Sequence, residues 1–473
     1  MHNENSTTTP VRIVFDASSV TRSGYSLNDV LAKGINSLNS LLEIFLRFRC
    51  NMVAVHTDVT KMYNVVKLRP EHWTYQRYKW HESLDPDAAP EEKIIKTLIY
   101  GVKPSGNQAQ VGLRETARRQ QEEYPEAANA IIKDTYVDDC ATGVSGSSDL
   151  TAEQLASDIN FILSKGGFVT KGFTISNSPP PIGLSKDGKS INVLGKKWLS
   201  ESDQLQIKFG PLNFNKKHRG KRSEDEDSCK IPDKLTKRIC AGKVAELFDI
   251  SGLVAPIIGG FKIDIRVLHE IACCGWEEKI PDQYRPVWLS NFQSMEMVGD
   301  LVYNRAVVPS DASSLDVEII SAGDASQQMA CACSYIRFKK KDNSYSCQLL
   351  LAKTKLVPED TTLPRAELFA ATLNIHVSQI VRKSLRNKIT DHLLVLDSEI
   401  VLYWLSWFTK QLKPWVRNRV IEILRFSKPE DWYHLISSLN PADIGTRGGV
   451  SVEDCGPDSD WITVDVITIF RNS

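Results

Sequence analysis

Hydrophobic and polar positions divide the chain into three textures. Short apolar runs that end in acids fill the first 200 residues, helical spacing runs from Leu235 to Arg305, and period-two alternation returns from Val317. In the first part, Met52 to Asp58 predicts a buried strand closed by an acid, and Val59 to Val66 continues with Met62 and Tyr63 on the apolar side. Ala130 to Thr135 predicts a short strand and Ala141 to Val144 its antiparallel return, so Asp138 and Asp139 would sit at a hairpin tip. Val11 to Ser18 alternates as a strand, Ser37 to Arg49 is helical, and Trp73 to Trp80 is strand-like. The loop Leu98 to Gly106 opens a helix from about Asn107 to Glu123, Thr151 to Ser164 is an amphipathic helix, and Gly166 to Asn177 predicts a further strand.

The last texture is more regular. Ile319 to Ser326, Ala330 to Phe338 and Tyr345 to Lys355 predict three strands, and Pro364 opens a long amphipathic helix. An apolar strand, His392 to Leu396, is closed by Asp397 and followed by a helix from Ser398 through Trp407. Acids fall on the first strand (Asp324), the first helix (Glu367), the end of the fourth strand (Asp397) and a later turn (Asp443).

Length and composition narrow the class without naming it. The 473 residues suffice for two to four domains, and 42% hydrophobic with 25% charged residues is ordinary for globular protein. With 58 basic and 58 acidic residues the formal charge is zero, so any nucleic-acid site must be a local patch. Ten cysteines, without doubled C-x-x-C spacing, read as reduced core residues of an intracellular protein. Met1 to Pro10 lacks the apolar core of a secretory signal, and Ile250 to Ile265 is too short and too broken to span a bilayer, so no membrane is expected. The basic run Lys216 to Arg222 is followed at once by Glu224 to Asp227, which favours a self-neutralising solvated loop over a binding element.

Each acid taken alone has an ordinary structural reading as a turn or cap residue. Their ordered grouping changes that reading. Carboxylates at a strand end and an adjacent hairpin can hold two magnesium ions, the arrangement that nucleotidyl transfer uses. The motifs His56 to Tyr63 and Tyr136-Val137-Asp138-Asp139 resemble the first and third catalytic motifs of a reverse transcriptase. Asp324, Glu367, Asp397 and Asp443 in that order resemble the four carboxylates of a ribonuclease H. The wording Pro364-Arg365-Ala366-Glu367-Leu368, Leu396-Asp397-Ser398-Glu399 and Asn440-Pro441-Ala442-Asp443 is similar to BEL/Pao LTR retrotransposons.

That resemblance implies an α+β multidomain chain: a right-hand polymerase with fingers, palm and thumb/connection, followed by a ribonuclease H-like α/β domain. The expected boundaries are a disordered tail to residue 11, fingers and palm over 12–200, thumb and connection over 201–314, the nuclease over 315–449 and a C-terminal tail over 450–473. It also implies RNA-directed DNA polymerase and hybrid ribonuclease activities, with Asp58, Asp138 and Asp139 as catalytic metal ligands in one site. Asp324, Glu367, Asp397 and Asp443 would serve the other, with two Mg2+ per site and Mn2+ as the substitute. Arg12 would grip the triphosphate, Tyr63 would exclude a 2′-hydroxyl, Gly101 would let a nucleotide approach, and Lys171 would stand near the leaving pyrophosphate. Val193 to Trp198 would form the primer-grip hairpin. The partners implied are an RNA template, a DNA primer, RNA–DNA hybrid and deoxynucleoside triphosphates, in a cytoplasmic particle or the nucleus. Against that resemblance, the sequence is expected to lack the fingers segment that normally precedes Arg12, and a protease and an integrase. The alternative is therefore a decayed or domesticated copy that binds hybrid or keeps only the nuclease.

Overall fold

The structure, a computed structural model, describes residues 15–82, 89–146, 150–179, 183, 190–215, 229–271, 274–407 and 411–464. Arg12 and the charged loop from Lys216 to Asp227 lie outside the described residues. Two compact units interleave along the chain: residues 1–44, 54–144 and 148–187 form the first, and 45–53, 145–147 and 188–473 the second.

The first unit is built on strand β1 (Val53–Thr60). A small antiparallel pair, β2 (Arg77–Trp80) and β3 (Glu91–Ile94), stands apart from it. The main sheet adds β4 (Thr135–Tyr136), β5 (Asp139–Val144) and β6 (Val169–Ile175) in the order β4-β5-β1-β6. Being central, β1 is buried at Ala54, Val55, His56, Thr57 and Val59. Three helices, Ser105–Arg118, Pro125–Lys133 and Ala152–Lys165, pack against one another. Thr151 caps the last of them by accepting from the Gln154 amide at 3.2 Å.

Several expected elements of this unit are corrected. Ala130 to Lys133 is the end of a helix, and only Thr135 and Tyr136 extend. Pro125 at the helix start and the buried Ala127, Ala128, Ala130 and Ile131 make a helical face that outweighs the apolar run. Phe15 to Ser18, the described part of the first expected strand, is irregular and turned. Pro70–Tyr75 is a 3-10 turn, so only Arg77–Trp80 of that aromatic run is a strand. The helix after the Gly/Pro loop stops at Arg118.

The second unit begins its own sheet with the hairpin β7 (Ser190–Val193) and β8 (Lys196–Leu199), followed by β9 (Gln204–Gln206) and β10 (Val302–Asn304). The hairpin turns through Leu194 and Gly195, both with positive φ, and a Cβ at Gly195 would lie 2.7 Å from the Phe248 ring. Behind it Lys196 and Asp249 form a fully buried ion pair at 3.1 Å. Arg305, 0% exposed, binds Asp203 through Nε at 2.7 Å and Nη2 at 2.5 Å, and donates to the Phe48, Asn51 and Met52 carbonyls at 2.7, 2.6 and 2.9 Å.

Five strands then form one sheet in the order β13-β12-β11-β14-β15: β11 (Val317–Ala325), β12 (Met329–Lys339), β13 (Tyr345–Leu356), β14 (Ile389–Leu396) and β15 (Trp432–His434). The first three are antiparallel neighbours, whereas β14 and β15 run parallel to β11. Alternation gives the sheet two buried faces. Ile320, Ala322, Cys331 and Cys333 join a core with the helices Ala255–Arg266 and Arg285–Asp300. Leu394 and Leu396 face a second core made by the helices Leu363–Ser384, Glu399–Ser406 and Pro414–Leu424. Of the described cysteines, all but Cys229 are buried, and none is in a disulfide. No helix of the described residues is long and apolar enough to cross a membrane.

Candidate active sites

In the first unit the chain reverses between β4 and β5 through Val137 and Asp138. Val137 takes φ +57°, a left-handed conformation that costs a β-branched residue. Two bonds hold the turn there: the Val59 amide donates to the Asp138 carbonyl at 2.8 Å, and Gln110 Nε2 to the Val137 carbonyl at 2.7 Å. The first ties the turn to β1 beside Asp58. Burial raises the Asp138 carboxyl above its ordinary range, and the charges of Asp58 and Asp139 push it further, against Lys171.

Strand β6 carries a bulge opposite Asp58, where Lys171 and Gly172 face one residue of β1. Gly172 has φ +90°, its carbonyl accepts from Thr57 Oγ1 at 2.8 Å, and Lys171 Nζ lies 2.7 Å from Asp58 Oδ1. Lys171 thus meets a carboxylate. Asp139 meets a base as well, for His56 Nε2 is 2.5 Å from its Oδ1. Sequence reasoning gave His56 no role, although its place two residues before Asp58 on a strand puts both on one face.

Tyr63 stacks on Tyr100 with ring centroids 4.4 Å apart, and its hydroxyl pKa is raised by burial and by the Asp138 charge. Gly101 has φ +91°, and a Cβ there would come 2.7 Å from the Phe15 carbonyl. Packing within the chain therefore requires a glycine at this position, whatever binds nearby.

In the second unit Asp324 lies near the end of β11, Asp397 immediately follows the parallel neighbour β14, Glu367 is in the first turns of Leu363–Ser384, and Asp443 opens a 3-10 turn. Burial, then Asp397, and less strongly Asp443, push the Asp324 carboxyl up to about 6. Glu367 is raised by burial and Asp397, while a bond from Ser398 Oγ pulls it back. Ser437 Oγ donates to Asp397 at 2.5 Å, Thr446 Oγ1 to Asp324 at 2.9 Å, and Arg447 pairs with Asp443. Like charges gathered in a partly buried place need compensation.

Hard oxygen donors suit a cation such as Mg2+, and the raised Asp138 and Asp324 carboxyls are the groups a divalent charge would relieve. The donor chemistry fits, but the carboxylates stand open: among the described residues no three His, Cys, Asp or Glu side chains are drawn together as a metal cage.

Among the solved structures to which the chain is similar are two of foamy viral protease–reverse transcriptases. A foamy viral protease–reverse transcriptase dRH in complex with ds DNA matches 87% of this chain and 61% of its own, at 11% identity and a TM-score of 0.52. A foamy viral protease–reverse transcriptase in complex with RNA/DNA hybrid matches 90% and 49%, at 12% identity and a TM-score of 0.50. The chain thus spans about half to three fifths of these structures, and the likeness shows a shared mixed α+β fold. Residues 236–398 match the Pao retrotransposon-like RNaseH-like domain. The resemblance to BEL/Pao retrotransposon proteins is borne out in that region, which carries Asp324, Glu367 and Asp397. A comparison with curated proteins found no match.

Proposed function

We propose that the chain is an RNA-directed DNA polymerase with an associated ribonuclease H, each activity using its own carboxylate set. The observation that carries this reading is the presence of two groups of neighbouring acids, in each of which burial and the neighbours' charges raise a carboxyl: Asp138 beside Asp58 and Asp139, and Asp324 beside Asp397 and Asp443. Asp58, Asp138 and Asp139 would hold magnesium in one, and Asp324, Glu367, Asp397 and Asp443 in the other. The metal supplies an activated oxygen nucleophile and charge neutralisation at the phosphate. Around the first set, Tyr63 is the candidate barrier to a 2′-hydroxyl, Arg12 the candidate triphosphate clamp, and Lys171 a cation near the departing phosphates once Asp58 is otherwise engaged. Template RNA, primer DNA, hybrid and deoxynucleoside triphosphates are the partners this reading requires.

A second reading, with the nuclease alone active, is favoured by one contrast. Two of the three acids in the first set already touch protein bases, Lys171 and His56, whereas in the second set hydroxyls hold Asp324, Glu367 and Asp397 and Asp443 alone of the four is paired with a base, Arg447. Primer extension and hybrid cleavage by the purified chain with magnesium separate the two readings. Asp138→Asn should abolish extension and spare cleavage, and Asp397→Asn should do the reverse. Loss of both activities in either folded variant would reject separate sites.

A further inference from the structure

Asp443 sits on a four-residue 3-10 turn, Asp443–Thr446, outside the sheet that positions Asp324 and Asp397. A single such turn has little stability of its own. Two bonds strap it to the end of β11: the side chain of Asn440, three residues before the turn, donates through Nδ2 to the Gly323 carbonyl at 3.1 Å, and Ser326 Oγ donates to the Thr446 carbonyl of the turn itself at 3.0 Å. The turn also lies flat on β12, since a Cβ at Gly445 would fall 2.2 Å from Cys331 Sγ.

A third strap differs in kind because it ends on a carboxylate. Thr446 Oγ1 lies 2.9 Å from Asp324 Oδ2 and 2.8 Å from the Asp443 carbonyl, with Thr446 5% and Asp324 8% exposed. One hydroxyl hydrogen faces two acceptors, and a bond to an ionised carboxylate is the stronger. Its rotamer is restricted by β-branching and by burial, so the oxygen has few alternatives.

We propose that Thr446 is a positioning residue that fixes Asp324 relative to the turn carrying Asp443, so that the first and last acids of the nuclease set act as one unit. The inference rests on the nuclease reading. Groups that orient metal-binding carboxylates typically change affinity or activity by about 10- to 100-fold when removed. The matching pair of variants is Thr446→Val, which keeps the shape and drops the hydroxyl, and Thr446→Ser, which keeps the hydroxyl and drops the methyl.

The test uses the full chain, with Mn2+ binding by calorimetry, hybrid cleavage, and thermal melting to establish folding. Thr446→Val should weaken Mn2+ binding at the nuclease set and slow cleavage about 10-fold or more, and Thr446→Ser should recover most of both. The nuclease set is isolated by measuring every variant in an Asp138→Asn background. Wild-type behaviour of a folded Thr446→Val, equal loss in folded Thr446→Ser, or no Mn2+ bound by the parent would each overturn the proposal. If Thr446→Val does not fold, loss in a folded Thr446→Ser overturns it, and retention of both properties by that variant supports it. Mn2+ binding that follows the hydroxyl in a chain that cleaves no hybrid would sustain the positioning role while removing the nuclease reading.

Discussion

His56 Nε2 stands 2.5 Å from Asp139 Oδ1, while the buried Nδ1 of the same ring meets no hydrogen-bond partner among the described residues. A neutral ring serving an ionised carboxylate must then carry its hydrogen on Nε2. His56→Ala leaves Asp139 without that donor, and primer extension is expected to fall about 10-fold or more. Hybrid cleavage should stay at the parent rate, because none of its four acids contacts His56. Measuring both reactions on one preparation checks this, and His56→Gln, whose amide can donate, should retain more extension than His56→Ala.

Replacing Tyr63 tests the sugar-exclusion role. The ring is half-buried against Tyr100 and within the electrostatic reach of Asp138. Tyr63→Val should bring ribonucleotide incorporation closer to the deoxynucleotide rate. Unchanged discrimination with extension intact would leave Tyr63 as a packing residue.

Stability without metal should depend on pH through Asp324. Its carboxyl titrates at about 6 in the folded chain, above the ordinary 3.8, so the folded state favours the protonated form. That contribution is complete below about pH 4 and is lost as pH rises through about 6, a change on the order of 3 kcal/mol from this group alone. Urea melts in chelator at pH 4.5 and 7 should show a larger fall for the parent than for Asp324→Asn. The same fall in the variant would place the dependence elsewhere.

Gly252 should tolerate no side chain. It has φ +78°, and a Cβ would lie 2.1 Å from the Ala352 carbonyl, a backbone atom of β13 that cannot turn aside. Gly252→Ala is expected to cost at least about 2 kcal/mol from strain and overpacking together, measured by urea unfolding. An unchanged midpoint would mean that the segment around Gly252 shifts freely from the sheet.

Much of this architecture was legible because acids set against apolar runs announce themselves, although β1 does not end at Asp58 as expected but continues to Thr60. Asp58, Asp324 and Asp397 each follow apolar runs whose period is set by local backbone geometry, and Glu367 follows a proline that opens a helix. The run Ala130 to Thr135 suggests a strand but folds mostly as helix, because a short apolar stretch is compatible with either period. Pro125 and the alanines after it held the deciding information. The partners of the acids were beyond reach for another reason. His56 and Asp139 are 83 residues apart and Thr446 and Asp324 122 apart, so their meeting depends on strand order and register. Neither is encoded in a local pattern. The glycine at 445 is silent in the same way, since its need comes from Cys331 on another strand.

Arg305 has a consequence for the order of events during synthesis. The carbonyls of Phe48, Asn51 and Met52 belong to the second unit, yet they are made about 250 residues before the guanidinium that satisfies them. At about 5–20 residues per second they wait roughly 10–50 s on the ribosome. The second unit therefore cannot close behind its own first segment until two thirds of the chain has emerged. A version expressed from residue 188 onward would leave Arg305 with Asp203 but without those three acceptors, and supplying residues 45–53 as a separate peptide should raise its melting temperature.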